Sequence, residues 1–413
     1  MPVAPKAFLD DANLLSIRPL PASTLVDNRK NLNLRSELRH RHKVRVLPDL
    51  SKPRQTAHAG GLPINTDIEK FFFGPADREG TFALDHFETF ELNSSSDAAF
   101  NALVPYMSLQ KLRTPKGLAF LRAHIGAHNN NDLLLLLQKI RNIYCTIWSE
   151  AVWQIADAKL SPTKFIVSDH PVTVYNRECF PDSHHCGAES DPDITSVGTH
   201  TLFPLSMNKV LIITNLSWVR DPYQNPLAVR PNPELFRRPG LFSFLNIQFD
   251  RFLSEEEVIE INHVIKRRAY RYIAASEEDW LYPERQLKSD HWRKLGNGYL
   301  FMPDPRHVVN GGEVLVSYKS GHVESFSEYG HRPWQTDFKD KQRDDREWQS
   351  LHRFQAEWAA MIGPKYRGLS RSFGQWDSPR LEESAEHHQH LVNSDLEFRK
   401  RAGERARRRH LRR

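Results

Sequence analysis

The sequence predicts an α+β protein with a mainly helical N-terminal half, a small mixed or antiparallel sheet, and a C-terminal hairpin-plus-helix appendage. Between residues 133 and 155, apolar side chains recur at steps of three and four, which is typical of an amphipathic helix. Between residues 165 and 214, short runs rich in β-branched residues indicate strands. The change of pattern places the first helices before the sheet.

Length and composition limit the class of protein. A chain of 413 residues is long enough for one large core or two smaller ones. The mean hydropathy is −0.59, and the longest apolar run, Leu133 to Leu137, is far shorter than the roughly 20 residues of a membrane helix. The N-terminal residues form no apolar core of signal-peptide length. We therefore expect a soluble, cytoplasmic protein without membrane insertion.

Changes in composition predict four segments. Residues 1–60 are expected to be irregular, 61–284 to form the α+β core domain, 285–370 to form a hairpin-helix region, and 371–413 to be a disordered basic tail. Residues 399–413 hold nine basic residues and one acidic residue, which is a net charge of +8. Because the net charge of the whole chain is +6, the remaining chain carries −2. Such a tail can bind nucleic acid through Arg407, Arg408 and Arg409, it can bind acidic lipid headgroups, or it can be a solvated end.

The helices of the N-terminal half have recognisable starts. Thr66 and Glu69 have the spacing of a capping box, in which each side chain accepts a hydrogen bond from the other residue's backbone. Helices are predicted over 77–92 and 96–111, and Asn129 to Asp132 cap a long helix with apolar positions from Leu133 to Ile155.

The second half of the chain begins with strands and ends with a helix. Strands are predicted over 165–167, 172–175, 201–205 and 209–214, with a polar loop at 176–198. Ser254 and Glu257 form a second capping box, which opens a helix to about Ala274. A hairpin is predicted over 312–326, where Gly321 takes the turn, and a helix over 340–361.

The segment Ser168–Val172, Ser-Asp-His-Pro-Val, stands at the end of a predicted strand, a position that often displays functional side chains. It resembles the Ser-Asp-x-Pro-Val motif of a mostly bacterial family, the domain-of-unknown-function 4238 family. Other similar elements are Asp67-Ile-Glu-Lys-Phe-Phe, the Gln-x-x-Arg-Thr-Pro element ending at Pro115, Trp148 and the Pro-Leu-Ser strand at 204–206. The resemblance covers about residues 45 to 275 and names no reaction. The family's His-x-Val-Pro and Tyr-Leu-Arg-x-Phe opening is missing, so any part of a site that it supplies is missing too.

Four residues of these elements are the candidate catalytic set. Asp169 can ligate a divalent metal or act as a general base, Glu69 can share the metal, Arg113 can contact phosphate, and His170 stands beside Asp169. This set predicts a metal-dependent hydrolase acting on nucleic acid, with a divalent metal as cofactor. Structural roles compete with it: a turn at Asp169, a helix cap at Glu69 and a helix end at Arg113. In that case the chain is a non-enzymatic nucleic-acid-binding or protein-interaction module.

Other clusters have similar alternatives. Cys179, His184, His185 and Cys186 are zinc-ligand types, with Asp182, Asp191 or His170 to complete the shell, but their spacing matches no usual zinc site and favours a variable loop. Cys145 is the third cysteine, and three cysteines make no disulfide framework, in agreement with a reducing compartment. Trp334, Trp348 and Trp358 lie near arginines and can stack on a nucleic acid strand or fill a core. His387, His388 and His390 can bind metal or belong to the tail. There is no phosphate loop, dinucleotide fingerprint or Gly-x-Ser-x-Gly element.

Overall fold

The computed structural model describes most of the region between residues 74 and 362. The described residues are 45–48, 74–125, 130–181, 183, 186, 191–230, 244–287, 301–308, 313–317, 321–327, 329, 331–362, 365–367, 381–383, 400 and 404. Several predictions lie outside them: the Thr66 and Glu69 capping box, Glu69 as a catalytic residue, the histidines at 184, 185, 387, 388 and 390, and Arg407, Arg408 and Arg409.

Four helices lie in the described part of the N-terminal half. They are α1 (Gly74–Glu88), α2 (Ser96–Leu112), α3 (Pro115–Ile125) and α4 (Asn130–Glu150). The prediction of α2 is confirmed, and α1 begins and ends a few residues earlier than predicted. Helix α3 was not predicted; Thr114 and Pro115 start it only three residues after α2 ends.

A mixed sheet of five strands follows the helices. Its strands are β2 (Val152–Asp157), β4 (Thr173–Asn176), β5 (Thr199–Pro204), β6 (Lys209–Thr214) and β7 (Gln248–Phe252), in the order β4-β5-β6-β2-β7. Neighbouring strands are antiparallel except for the β2–β7 pair, which is parallel. The α+β class and the mixed sheet are confirmed.

The predicted extension of the long helix to Ile155 is wrong. Helix α4 ends at Glu150, and Ile155 lies in β2 opposite Leu211. The physical reason is that β2 is a central strand buried on both faces, so nearly all its residues are apolar or buried. A continuous apolar run of this kind carries no period that separates a strand from a helix.

The two faces of the sheet belong to different cores. Along β6, Leu211 and Ile213 face the layer of α1 to α4, whereas Val210 and Ile212 face the opposite side. The helical side is dominated by aromatic contacts, with the Trp153 ring 5.1 Å from the Phe100 ring. The opposite side packs against α6 (Glu255–Arg268). The sheet is therefore the middle layer of three.

A second, three-stranded sheet joins distant parts of the chain. Strand β8 (Tyr272–Ala275) lies between β1 (Arg45–Pro48) and β3 (Val167–Ser168) and is antiparallel to both. Strand β1 belongs to the segment that was expected to be irregular. The predicted helix to Ala274 is wrong beyond Arg268, because Tyr272 to Ala275 pair with these two strands instead.

The capping box of α6 is confirmed. The Ser254 hydroxyl accepts a hydrogen bond from the Glu257 backbone, and the Glu257 carboxylate accepts one from the Ser254 backbone. The short helix α5 (Leu216–Arg220) lies between β6 and β7.

The C-terminal region contains the predicted hairpin and helix. Strands β9 (Glu313–Ser317) and β10 (Val323–Ser327) pair antiparallel, and Gly321 has a φ of 81°, which favours glycine. Helix α7 (Lys341–Ile362) follows, and β11 (Lys365–Arg367) pairs with β12 (Leu381–Glu383). Phe354 and Trp358 of α7 pack with Trp218 and Met302 in a third core. None of the described helices combines the length and apolar character that a membrane crossing requires.

Candidate functional site

Two of the family-like elements meet where α2 ends and α3 begins. The Thr114 hydroxyl accepts a hydrogen bond from the Gly117 backbone at 3.2 Å and so caps α3. A side chain at Gly117 would collide with the Lys111 and Leu112 carbonyl oxygens, so glycine permits this tight junction. The Thr114 hydroxyl also lies 2.8 Å from Nδ1 of His170, in the Ser168–Val172 segment. The junction therefore faces the turn after β3.

A buried group of polar side chains surrounds Asp191 at this junction. Lys111 and Lys116 both form ion pairs with the Asp191 carboxylate, Lys116 at 2.7 Å. Lys111 is only 4% exposed, and its ammonium also reaches Nε2 of His170 at 2.8 Å and the Val172 carbonyl at 3.1 Å. We call Lys111, Thr114, Lys116, His170 and Asp191 the Asp191 cluster. It joins α2, α3, the turn after β3 and the segment that leads from Asp191 to β5.

Nε2 of His170 lies between two charged groups, 2.8 Å from the Lys111 ammonium and 2.9 Å from Asp191 Oδ2. With the ring proton on Nδ1, Nε2 accepts a hydrogen bond from Lys111 and Nδ1 donates one to the Thr114 hydroxyl. With the ring proton on Nε2, the ring donates to Asp191 Oδ2 and Nδ1 accepts from the Thr114 hydroxyl. In both arrangements the ring is neutral and connects Thr114 to the ion pairs of Asp191.

The pKa values agree with a neutral ring. Burial, and after it the positive charge of Lys111, lowers the pKa of His170 to about 3, so the ring is neutral at pH 7. Burial lowers the pKa of Lys111 to about 8, although the Asp191 charge opposes the shift. Burial alone would raise the pKa of Asp191, but Lys111 and Lys116 outweigh it and hold that pKa well below its usual range. At pH 7 the cluster thus contains two ammonium groups, one carboxylate and a neutral imidazole.

The described hydrogen bonds of the Asp169 side chain come from backbone N–H groups rather than from other side chains. Its Oδ1 accepts a hydrogen bond from the Tyr270 backbone at 2.9 Å and its Oδ2 from the Arg271 backbone at 2.8 Å. Its own backbone N–H donates to the Tyr272 carbonyl at 3.0 Å. The side chain is buried, at 6% exposure. Asp169 therefore fastens the turn after β3 to the connection between α6 and β8.

Arg113 joins α2 to α1. Its guanidinium donates two hydrogen bonds to the Asp77 carboxylate, at 3.0 and 2.6 Å, in the bidentate geometry that is strongest for this pair. Gln110 donates to the same carboxylate at 3.4 Å. Asp77 is 28% exposed, so this pair lies nearer the surface than the Asp191 cluster.

The structure thus brings His170 together with Thr114, the neighbour of Arg113. The Arg113 guanidinium instead donates to the Asp77 carboxylate, and the Asp169 carboxylate accepts hydrogen bonds from the backbone N–H groups of residues 270 and 271. Sequence reasoning did not identify Lys111 and Lys116, and it considered Asp191 only as a zinc ligand. The one available signal for Lys111 was its position inside the Gln-x-x-Arg-Thr-Pro element.

The predicted reduced state of the cysteines is not what the structure has. Cys179 and Cys186 form a disulfide, with their Cα atoms 5.1 Å apart. Two turns, closed by the Cys179 N–H to the Asn176 carbonyl and the Ser183 N–H to the Phe180 carbonyl, bring the ends of this short loop together. In this state neither sulfur is a zinc thiolate. Among the described side chains, no group of three or more His, Cys, Asp or Glu residues is arranged to hold a metal.

Trp334, Trp348 and Trp358 differ in burial. Trp348 and Trp358 are each 7% exposed and belong to the interior, which favours the core interpretation for both. Trp334 is 78% exposed, and the Arg332 guanidinium lies 5.6 Å from its ring centre.

Comparison with protein-family models gives a match to a family described as protein of unknown function (DUF4238), over residues 70–279. This is just over half of the chain. The chain belongs to the DUF4238 family. The matched region of this DUF4238 protein contains Arg113, Asp169, His170 and the whole Asp191 cluster, whereas α7 lies beyond it. No curated protein and no solved structure matched the chain.

Proposed function

We propose that this DUF4238 protein binds nucleic acid without cleaving it, through the basic segment at 399–413. The observation that carries the proposal is the state of the candidate catalytic side chains. Asp169, His170 and Arg113 each direct their polar atoms to partners within the protein. In this function the family motifs stabilise the fold, and the ligand is held elsewhere.

The contacts of these three residues fit a structural role. The Asp169 carboxylate accepts two backbone hydrogen bonds, which connect two segments about a hundred residues apart in the chain. His170 is a neutral ring between Thr114 and Lys111, with no more than 1% of its surface exposed. A general base or a phosphate-binding group needs access to its substrate.

The charge of the segment at 399–413 supplies the attraction. Its net charge of +8 contrasts with −2 for the remaining chain. Binding of Lys and Arg to phosphates releases condensed counterions, so the affinity falls linearly on a log–log plot against salt. The slope is about −0.7 per phosphate contact for single strands and about −0.9 for duplex DNA.

The test compares the full chain with a variant in which the nine basic residues of 399–413 are replaced by glutamine, which keeps the length. Fluorescence polarisation with labelled single-stranded and duplex oligonucleotides is measured over a range of salt concentrations. We expect a steep salt dependence for the full chain and loss of most of the slope and affinity in the variant. Asp169→Asn should leave the slope unchanged. An unaltered slope in the glutamine variant would contradict the proposal.

A metal-dependent hydrolase acting on nucleic acid is the second candidate. It is favoured by the meeting of two family-like elements at a buried cluster with shifted pKa values, which is common at active sites. In this function Asp169 and Glu69 hold a divalent metal and Arg113 contacts phosphate.

The hydrolase is tested by cleavage of mixed RNA and DNA with Mg²⁺ or Mn²⁺, beside Asp169→Ala. Cleavage that requires the metal and is lost in a folded variant would replace the first proposal with the second. Tail-dependent binding without cleavage would retain the first.

A further inference from the structure

A groove of about 550 Å³, lined by residues with polar or charged groups, lies between the segment that follows α5 and helix α7. One wall is formed by residues 221–224 and the other by α7. The lining residues are Asp221, Tyr223, Gln224, Arg346, Gln349, Ser350 and Arg353. A volume of this size is within the usual range for small-molecule sites, about 300 to 1,000 Å³. We call it the Tyr223 groove.

The two walls are fixed to each other by hydrogen bonds. The Tyr223 hydroxyl donates to Glu357 Oε2 at 2.5 Å, and Arg353 Nε donates to Glu357 Oε1 at 2.9 Å. The Ser350 hydroxyl donates to Asp221 Oδ1 at 2.7 Å. Both walls are therefore held in place before a ligand arrives, which reduces the entropy lost on binding.

Tyr223 and Arg353 form a stacked pair. The Arg353 guanidinium carbon lies 4.3 Å from the centre of the Tyr223 ring, and Glu357 holds both groups in this arrangement. Even so, Tyr223 is 41% exposed and the Arg353 side chain 68% exposed. A stacked but exposed guanidinium offers a planar surface and hydrogen-bond donors on the same group.

The other lining groups suit the rest of a nucleotide. Arg346 is exposed on the same wall, four residues from Ser350 and seven from Arg353 along α7. Arginine matches phosphate oxygens with two parallel hydrogen bonds. The carboxamides of Gln224 and Gln349 carry both donors and acceptors, which is what the edge of a base requires.

We propose that the Tyr223 groove binds a nucleotide, with its base stacked on the Arg353–Tyr223 pair and its phosphate at Arg346. The ligand is either one nucleotide of a single strand or a free nucleotide, because the two have the same recognisable groups. The strand-bound ligand rests on the proposed function, whereas the free nucleotide does not. Stacking of a base on an aromatic or arginine surface tolerates any base.

The test uses a matched pair of substitutions. Gln349→Glu places a negative charge in the groove, and Gln286→Glu places the same charge at an exposed position outside the groove lining. Both glutamines are exposed, so neither change should disturb the core. Arg353→Gln is a second groove variant. Thermal unfolding of each variant checks the fold.

Binding of adenosine monophosphate is measured by calorimetry. Binding of a short fluorescent single strand is measured by polarisation, at a salt concentration that suppresses nucleic-acid binding by the segment at 399–413. We expect Gln349→Glu and Arg353→Gln each to weaken binding by about fivefold or more, a loss in the range of one stacked base. Gln286→Glu should match the unchanged chain. A loss with adenosine monophosphate identifies a free-nucleotide site, and a loss with the single strand alone identifies a strand-binding site.

The same measurements on the glutamine-substituted tail separate the two proposals. If the tail variant loses strand binding but its groove still takes up adenosine monophosphate, both proposals stand. If the full chain binds neither ligand, or binds both equally well in all groove variants, the groove proposal is overturned. In the second case tail-dependent binding still supports the proposed function.

Discussion

Replacing Asp191 with asparagine tests whether the Asp191 cluster stabilises the fold. The substitution keeps the shape of the side chain but removes the one negative charge between Lys111 and Lys116. Both lysines are at most 11% exposed, so neither can turn its ammonium into bulk water without moving its helix. The variant therefore buries two positive charges without their carboxylate.

The size of the loss follows from the geometry. At the 2.7 Å between Lys116 Nζ and Asp191 Oδ1, with an effective dielectric constant of about 20, Coulomb's law gives a gross attraction of about 6 kcal/mol. Desolvation of the ions offsets much of that attraction in the intact protein. Removal of one partner from a buried pair typically costs about 3–5 kcal/mol, because the other charge stays buried. We expect a loss of this size in the free energy of unfolding.

The loss should also depend on pH. The Asp191 charge raises the pKa of Lys111, which is about 8 in the intact protein, so that pKa falls further in the variant. At pH 9 Lys111 is then neutral in the folded variant, and the unfavourable buried charge is reduced. The difference in unfolding free energy between the two proteins should therefore be smaller at pH 9 than at pH 6.

Urea unfolding followed by circular dichroism measures these differences. Asp85→Asn, which removes a negative charge from an exposed position of α1, serves as the control and should change stability by less than about 0.5 kcal/mol. Lys111→Met is combined with Asp191→Asn in a double-mutant cycle, and the combined loss should be smaller than the sum of the single losses. Additive losses, or an Asp191→Asn loss no larger than that of the control, would refute the reasoning.

Three further predictions follow from single contacts. The folded pKa of His170, about 3, lies below the unfolded value of 6.5, so its contribution to stability is present above pH 6.5 and is lost as the pH falls towards 3. Between pH 6 and 5, the unfolding free energy of the intact protein should therefore fall more steeply than that of His170→Asn, by about 1.4 kcal/mol per pH unit. Identical slopes for the two proteins would exclude this titration. A double-mutant cycle of Arg113→Met and Asp77→Asn should give a coupling of about 1–2 kcal/mol in the free energy of unfolding, since the pair is bidentate and partly exposed. A coupling of zero would show that the ion pair is not formed in solution. In thermal unfolding, Ser254→Ala should lose about 1 kcal/mol of stability and Ser254→Gly only a few tenths, because glycine is tolerated at the helix cap. An equal loss for both variants would argue against the capping box.

Local signals predicted those parts of the fold that depend on neighbouring residues. The capping box at Ser254 and Glu257 involves two side chains within one helical turn, so its sequence spacing suffices. Gly321 similarly marks the turn between β9 and β10, because a positive φ is a property of one residue. The strands β5 and β6 were visible as short runs of β-branched residues.

Elements whose identity depends on distant partners were predicted less well. Strand β2 was taken for the end of a helix, since a strand buried on both faces shows no alternation. Strand β8 was taken for helix because its partners, β1 and β3, come from far away in the chain. The pairing of Cys179 with Cys186 likewise required the turns of the loop between them.

The sequence by itself determined the α+β class, the family, the positions of most of the described helices and about half of the described strands, and the concentration of positive charge at 399–413. The roles of the side chains were decided only by the tertiary structure. Lys111 and His170 are 59 positions apart, and Asp191 is a further 21 positions along the chain. A charge becomes an ion pair, a helix cap or a catalytic group according to what folding places within about 3 Å of it, and no local pattern contains that information.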